Sequence, residues 1–141
     1  MGMDFSDSPG SFIVRLAHTM SSELDGKLRP YGVTLSQWTL LKQVWQQEGR
    51  SQVELQEMLG LEAATITGLI QRMTNLGLVQ RQPDPNDKRV QRVYLTERGR
   101  ELRGVTAPIE EVNARAMQGF TTDEQEFFIR LLKRALHNFD E

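Results

Sequence analysis

The sequence contains no cysteine, and its only two histidines, His18 and His137, stand near opposite ends of 141 residues. The absence of cysteine excludes disulfides, thiol nucleophiles, thiol redox sensing and cysteine-ligated zinc. A metal site would have to consist almost wholly of carboxylates, so we expect no metal.

Long apolar runs are also missing. No segment approaches the roughly 20 apolar residues that cross a bilayer, so we expect no membrane partner. The first ten residues lack the basic and apolar stretches of a secretion signal, and a cytoplasmic location is the simplest expectation. The sequence shows no glycine-rich phosphate loop, no nucleophile elbow and no histidine–carboxylate spacing that would organise catalysis. We therefore expect neither an enzyme nor a cofactor.

The charges are distributed unevenly, although the net charge is only −2. Residues 63–100 carry seven basic and three acidic side chains, whereas residues 1–62 and 101–141 each carry five basic and eight acidic ones. Phosphate binding needs positive charge only where the phosphates lie. On charge alone, the cluster is either a nucleic-acid-binding surface or a chance grouping.

Capping residues and apolar spacing predict a series of helices. Ser8 and Pro9 start the first helix, and Pro30-Tyr31-Gly32 ends it. Capping boxes at Thr34/Gln37 and Ser51/Glu54 start the next two. Apolar stripes support these helices: Phe12, Leu16, Met20, Leu24 and Leu28 in the first, and Leu35, Trp38, Leu41 and Trp45 in the second.

A fourth helix over residues 63–75 follows so closely that the pair is typical of a helix-turn-helix. Residues 78–82 and 90–95 are predicted strands, separated by a polar loop with a basic tip at Lys88 and Arg89. A helix-turn-helix followed by such a hairpin is the order of a winged helix, and we place its wing at about residues 83–90.

The terminal segments are amphipathic. Leu102, Val105, Ile109, Val112 and Ala116 form a heptad-like seam that Pro108 should kink near Gly104. Thr121 and Glu124 cap a last helix with an apolar face. These stripes could close a monomeric bundle or pack against a second copy, and we favour a homodimer because operators are commonly palindromic.

The expected fold is mainly α with a minor β component: a winged helix-turn-helix with N- and C-terminal helices forming a dimerisation domain. Its parts are an N-terminal dimerisation helix in residues 1–33, a DNA-binding lobe in 34–95 and C-terminal dimerisation helices in 96–141.

Three runs resemble the MarR family of transcriptional regulators: Gly77–Arg81, Asp84–Arg89 and Tyr94–Gly99. With the order of helices on both sides, the resemblance covers essentially the whole chain. It implies an obligate dimer that binds a pseudo-palindromic operator in double-stranded DNA, usually as a repressor, and is often released by a small phenolic or other aromatic ligand.

The resemblance also implies roles for individual residues. The recognition helix would be residues 63–75, and the wing Arg89 would enter the minor groove, with Lys88 near phosphates. Asp87 would hold the shape of the wing by pairing with Arg81 or Arg89. The residues facing DNA from the helix would be Ala63, Ala64, Thr65, Thr67, Gly68, Gln71 and Arg72.

Three positions depart from the family pattern. Glu62 stands where many relatives have a better cap, Gly68 replaces larger residues, and Pro108 is unusual in the long dimer helix. In relatives, effectors bind between the dimer helices and the DNA-binding lobe, and the candidate lining residues here are Arg15, His18, Tyr31 and Trp38. The alternative for Trp38 is a core position beside Leu41. A winged-helix module that binds only protein is a further alternative, which the basic wing disfavours.

Overall fold

The computed structural model describes residues 5–140, and the side chains of residues 6–140. Helix α1 spans Pro9–Leu28, and Ser8 caps it by accepting a hydrogen bond from the backbone N–H of Ser11 at 3.2 Å. A 3-10 turn over Arg29–Tyr31 ends in Gly32, whose φ of 77° is a left-handed conformation that favours glycine. Both ends of this helix are confirmed.

Three further helices form one side of the central lobe: α2 over Leu35–Gln46, α3 over Gln52–Leu59 and α4 over Ala63–Asn75. Thr34 and Gln37 form a complete capping box at the start of α2. Ser51 accepts from the backbone N–H of Glu54 at 3.0 Å, but the reciprocal bond of the predicted second box is not formed between these residues. The box at α3 is therefore only half correct.

A three-stranded antiparallel sheet in the order β1-β3-β2 completes the lobe. Strand β2 spans Val79–Pro83 and pairs along its length with β3, Gln91–Leu95, which confirms the hairpin. Strand β1, Arg50–Ser51, joins the other edge of β3 and was not predicted. Two residues between helices carry no detectable alternation of apolar and polar side chains, so β1 is defined only by its pairing.

The core lies between these helices and the sheet. Four residues of α4 (Ile66, Leu69, Ile70 and Met73) are buried and leave the opposite face of that helix to solvent. The rest of the core comes from the end of α1, from α2, α3 and the hairpin, and from residues just outside these elements: Leu28, Val33, Trp38, Leu40, Leu41, Val44, Leu55, Leu78, Val79, Val93, Leu95 and Leu102.

Gly99 joins the lobe to the C-terminal segment. A Cβ atom at Gly99 would lie 2.2 Å from the carbonyl oxygen of Leu78, so only glycine allows this approach. Thr96 Oγ1 donates to the carbonyl of Gly77 at 2.6 Å, and Trp45 Nε1 donates to the carbonyl of Gly99 at 2.7 Å. These contacts give a physical reason for the threonine and glycine of the Tyr94–Gly99 run.

The predicted heptad seam is not one kinked helix. The chain forms α5 over Glu97–Glu101, a 3-10 turn over Leu102–Gly104, and then a separate helix α6 over Ala107–Ala116. Pro108 lies in the first turn of α6, where its missing N–H needs no helical partner. The proline therefore starts a helix, and the predicted kink is replaced by a full interruption.

The terminal helices leave a large apolar surface in solvent. Ion pairs join α1 to α6 between Lys27 and Glu111 at 2.8 Å and between Arg115 and Glu23 at 2.6 Å. Helix α7, Thr122–His137, has no buried residue, and Phe127 is 53% exposed. Over residues 5–140, no helix combines the length and the apolar character that crossing a membrane requires.

Candidate nucleic-acid interface

The solvent face of α4 contains the residues predicted to face DNA. Ala63, Ala64, Thr65, Thr67, Gln71 and Arg72 are exposed, and Gly68 is half-buried. Glu62 precedes the helix and makes no side-chain capping bond, so its carboxylate leaves the first N–H groups of α4 uncapped. The face is polar and accessible, as a surface that contacts base edges must be.

Thr67 is held by two hydrogen bonds within the lobe. Its Oγ1 donates to the carbonyl of Ala63 at 2.9 Å and accepts from Gln52 Nε2 at 2.7 Å. The hydroxyl proton is therefore used inside the protein and is not available to a base edge. Gln52, the first residue of α3, was missed because the contact links two helices and leaves no local pattern.

A second network fastens α4 to the hairpin. Arg81 on β2 donates through Nη2 to Gln71 Oε1, and Gln71 Nε2 donates to Asn75 Oδ1 at 3.0 Å. Arg81 was one of the two partners proposed for Asp87, and in the structure it contacts Gln71 instead. Arg81 connects β2 with α4 instead of shaping the wing tip.

Asp84 organises the base of the wing. Its Oδ1 accepts from the backbone N–H groups of Asn86 at 2.8 Å and Asp87 at 3.1 Å, which forms a tight turn. Its Oδ2 lies 2.6 Å from Arg92 Nε, and Arg92 Nη1 donates to the carbonyl of Gly49 at 2.8 Å. The hydrogen bond from Arg92, assisted by the backbone amides, lowers the pKa of Asp84.

Sequence reasoning assigned no role to Asp84 or Arg92. The turn-forming run Asp84-Pro85-Asn86 was a usable signal for the first of them, because aspartate accepts backbone N–H bonds at such turns. Arg92 offered no comparable signal.

Asp87 and Arg89 form a two-bond ion pair at the tip. Arg89 Nε lies 3.0 Å from Asp87 Oδ1, and Arg89 Nη2 lies 3.1 Å from Asp87 Oδ2. The side chain of Arg89 is nevertheless 91% exposed, and Lys88 beside it is exposed as well. Hydrogen bonding from Arg89 lowers the pKa of Asp87. The pair orients the guanidinium and leaves most of it accessible to a ligand.

Within residues 6–140, the four residues predicted to line an effector pocket lie in different surroundings. Trp38 is 7% exposed and packs edge-on against Trp45, with ring centroids 4.9 Å apart, so it belongs to the core. Arg15 lies over the ring of Phe12 on the exposed side of α1. A cavity of about 450 Å³ at the α1–α2 junction includes none of Arg15, His18, Tyr31 and Trp38. Its lining residues are Asp25, Arg29, Gly32, Val33, Thr34, Gln37 and Leu76.

The chain is similar to one family model and to solved structures of known proteins. The MarR family model matches residues 33–90, from two residues before α2 to the end of the wing. The whole chain is similar to a MarR transcriptional regulator from Methanosarcina mazei Go1, at 26% identity and a TM-score of 0.84, covering 92% of this chain and 94% of the other. The chain therefore resembles MarR transcriptional regulators, in residues 33–90 by the family model and in its fold as a whole.

Two further structures extend the similarity to the terminal helices. A probable transcriptional regulator from Pseudomonas aeruginosa is 29% identical, with a TM-score of 0.84 over 94% of this chain and 99% of the other. A MarR mutant from E. coli, crystallised with operator DNA, is 25% identical, with a TM-score of 0.85 over 95% and 99%. The mainly helical winged helix-turn-helix is thereby confirmed, and the proteins from M. mazei and P. aeruginosa that share it are named as transcriptional regulators.

Proposed function

We propose that this chain is a MarR-family regulator that binds double-stranded DNA sequence-specifically, as a homodimer on a pseudo-palindromic operator, and represses transcription. The observation that supports this most strongly is the oriented but exposed guanidinium of Arg89, on a wing beside the polar face of α4. The two acidic residues of the wing, Asp84 and Asp87, are each paired with an arginine. Little negative charge is left unpaired on the wing to repel a phosphate backbone.

A second copy is the proposed cover for the apolar terminal helices. A groove of about 290 Å³ between α1 and α7 is almost wholly apolar, and its lining residues are Phe12, Ile13, Leu16, Ala17, Met20, Phe128 and Leu132. Further apolar side chains are exposed at the end of α7 and just beyond it, with Leu136 at 71% and Phe139 at 86% exposure. Covering such side chains contributes about 1.5–3 kcal/mol each. A two-fold dimer would also present two recognition helices to successive turns of the major groove.

We propose that the segments of the chain have the roles that the sequence predicts. Residues 34–95 would contact the operator, and residues 1–33 and 96–141 would form the dimer. Because a repressor acts on the chromosome, the proposed location is the cytoplasm.

The effector site is proposed at the cavity of the α1–α2 junction. Its volume is within the range of small-molecule pockets, and Arg29 offers a cation for an aromatic acid. Leu76 directly follows α4 as its C-cap, and its carbonyl accepts a hydrogen bond from Arg98 Nη1 at 3.1 Å, so a ligand there would touch the end of the proposed recognition helix. If salicylate binds, it will raise the thermal unfolding midpoint of the chain but not that of Arg29→Ala. An equal shift in both proteins would contradict this site.

A titration of random-sequence duplex at two salt concentrations tests DNA binding itself. A DNA-binding dimer loses affinity steeply as salt rises, because phosphate contacts release counterions. A winged-helix module that binds only protein forms no duplex complex at either concentration.

A further inference from the structure

Gln52 occupies a position where three elements meet. It is the first residue of α3, its Nε2 donates to Thr67 on the recognition helix at 2.7 Å, and it lines a groove of about 190 Å³ with Arg89, Val90 and Gln91 of the wing. Its side chain is half-buried, so its position is restricted by these neighbours. Gln52 is therefore next to both surfaces that we propose to contact DNA.

The contact determines what Thr67 can offer a base pair. A hydroxyl has one hydrogen and two acceptor lone pairs. Thr67 donates its hydrogen to the carbonyl of Ala63 and accepts from Gln52 with one lone pair. Two bonds to one oxygen fix the rotation of the side chain, and no donor is left for DNA. What remains distinctive is the methyl group, and a threonine methyl contacts the methyl group of thymine.

Gln52 keeps a donor and an acceptor of its own. A carboxamide has two N–H donors and one carbonyl acceptor, and the bond to Thr67 uses one N–H. In the part of the chain that the structure describes, neither the second N–H nor Oε1 is engaged. A neighbouring donor and acceptor are the pattern with which glutamine binds the N6 and N7 edge of adenine.

We propose that Gln52 is a specificity-determining residue, which fixes the side chain of Thr67 and favours an A·T base pair in each half-site. The proposal rests on the proposed DNA-binding function and adds a residue outside the recognition helix to it. Gln52 and Thr67 act as one unit, because the amide is anchored through the hydroxyl that it restrains.

The test compares base preference among variants. Operators are selected from random duplexes with the full-length chain, and affinities are measured for the selected site and for versions with each A·T pair replaced by G·C. For one pair per half-site, we expect the replacement to weaken the wild type about tenfold and Gln52→Ala less than about twofold. Thr67→Val should lose preference at the same pair, and the double variant should lose no more than either single one.

Two controls separate this effect from a change in the fold. Thr74→Val removes a hydroxyl of the same helix that donates to the Ile70 carbonyl at 2.7 Å, and Gln46→Ala removes an exposed glutamine of α2. Both should keep the wild-type preference.

The proposal is overturned if Gln52→Ala keeps the A·T preference. It is equally overturned if the variant weakens all sequences alike with a smaller salt dependence, which would identify a phosphate contact. If the wild-type chain selects no sequence at all, the proposed function itself fails, and the inference fails with it.

Discussion

Asp84 at the start of the wing forms an ion pair with Arg92 on β3, with the carboxylate 2.6 Å from Arg92 Nε. The same guanidinium donates to the carbonyl of Gly49. This pair ties the wing to the loop before β1. The carboxylate also holds two backbone amides of the wing turn. One side chain thus sets both the shape of the wing and its attachment to the lobe.

The first prediction concerns pH. The Arg92 guanidinium holds the pKa of Asp84 below its ordinary value of 3.8. A carboxyl with a lowered folded-state pKa stabilises the fold above 3.8 and loses that contribution as the pH falls through its folded-state pKa. We expect the carboxyl carbon of Asp84 to titrate below 3.8 in an NMR experiment, with the backbone amides of Asn86 and Asp87, which donate to it, changing over the same range. In Asp84→Asn these amide changes should disappear, and an Asp84 midpoint at or above 3.8 would contradict the pairing.

The second prediction concerns the wing tip. Arg89→Ala should lower operator affinity on the order of tenfold or more while secondary structure and oligomeric state stay unchanged, because the side chain is 91% exposed. Arg103→Ala removes an exposed arginine outside the lobe and serves as the control. Fluorescence anisotropy with labelled operator gives both affinities. Equal affinities for the two variants would remove Arg89 from the interface.

These two predictions show what the sequence could and could not reveal. Helix starts at Ser8, Thr34 and Thr121 were predictable because a cap is a contact within three residues. The partner of Asp84 was not, since Arg92 lies eight residues away and Gly49 is 43 residues from Arg92. Gln52 was missed for the same reason.

The 3-10 turn at residues 102–104, which interrupts the predicted helix, shows a second limit of prediction from the sequence. The apolar spacing of Leu102, Val105 and Ile109 is compatible with one helix, and periodicity alone does not register a change of direction. The buried Leu102 and the half-buried Val105 and Ile109 instead pack on the lobe core around this turn.

The third prediction concerns Gly99. An added Cβ would meet backbone atoms of Leu78, which cannot rotate away, so Gly99→Ala should destabilise the fold by about 1–3 kcal/mol or more. Gly26 is the matched control, because its Cβ would meet nothing within 4 Å in the last turn of α1. Gly26→Ala should be neutral or stabilise by about 0.5–1 kcal/mol. Chemical denaturation measures both, and a neutral Gly99→Ala would contradict the close approach.

The fourth prediction concerns assembly. Leu132 lines the apolar groove between α1 and α7, and Leu132→Glu would place a charge in the proposed dimer interface. Sedimentation should then give a mass near the 16.2 kDa of one chain, and operator affinity should fall with it. Met58→Glu introduces the same charge at an exposed position on α3 and should leave the dimer intact. A Leu132→Glu protein that remains dimeric would show that the interface lies elsewhere.

The most direct test of the central claim is to select bound fragments from random duplex DNA and to measure the mass of the complex with the selected site. We expect a pseudo-palindromic sequence whose half-sites are about one helical turn apart, bound by two chains per duplex. A chain that remains monomeric, or that enriches no sequence at low salt, would contradict the account.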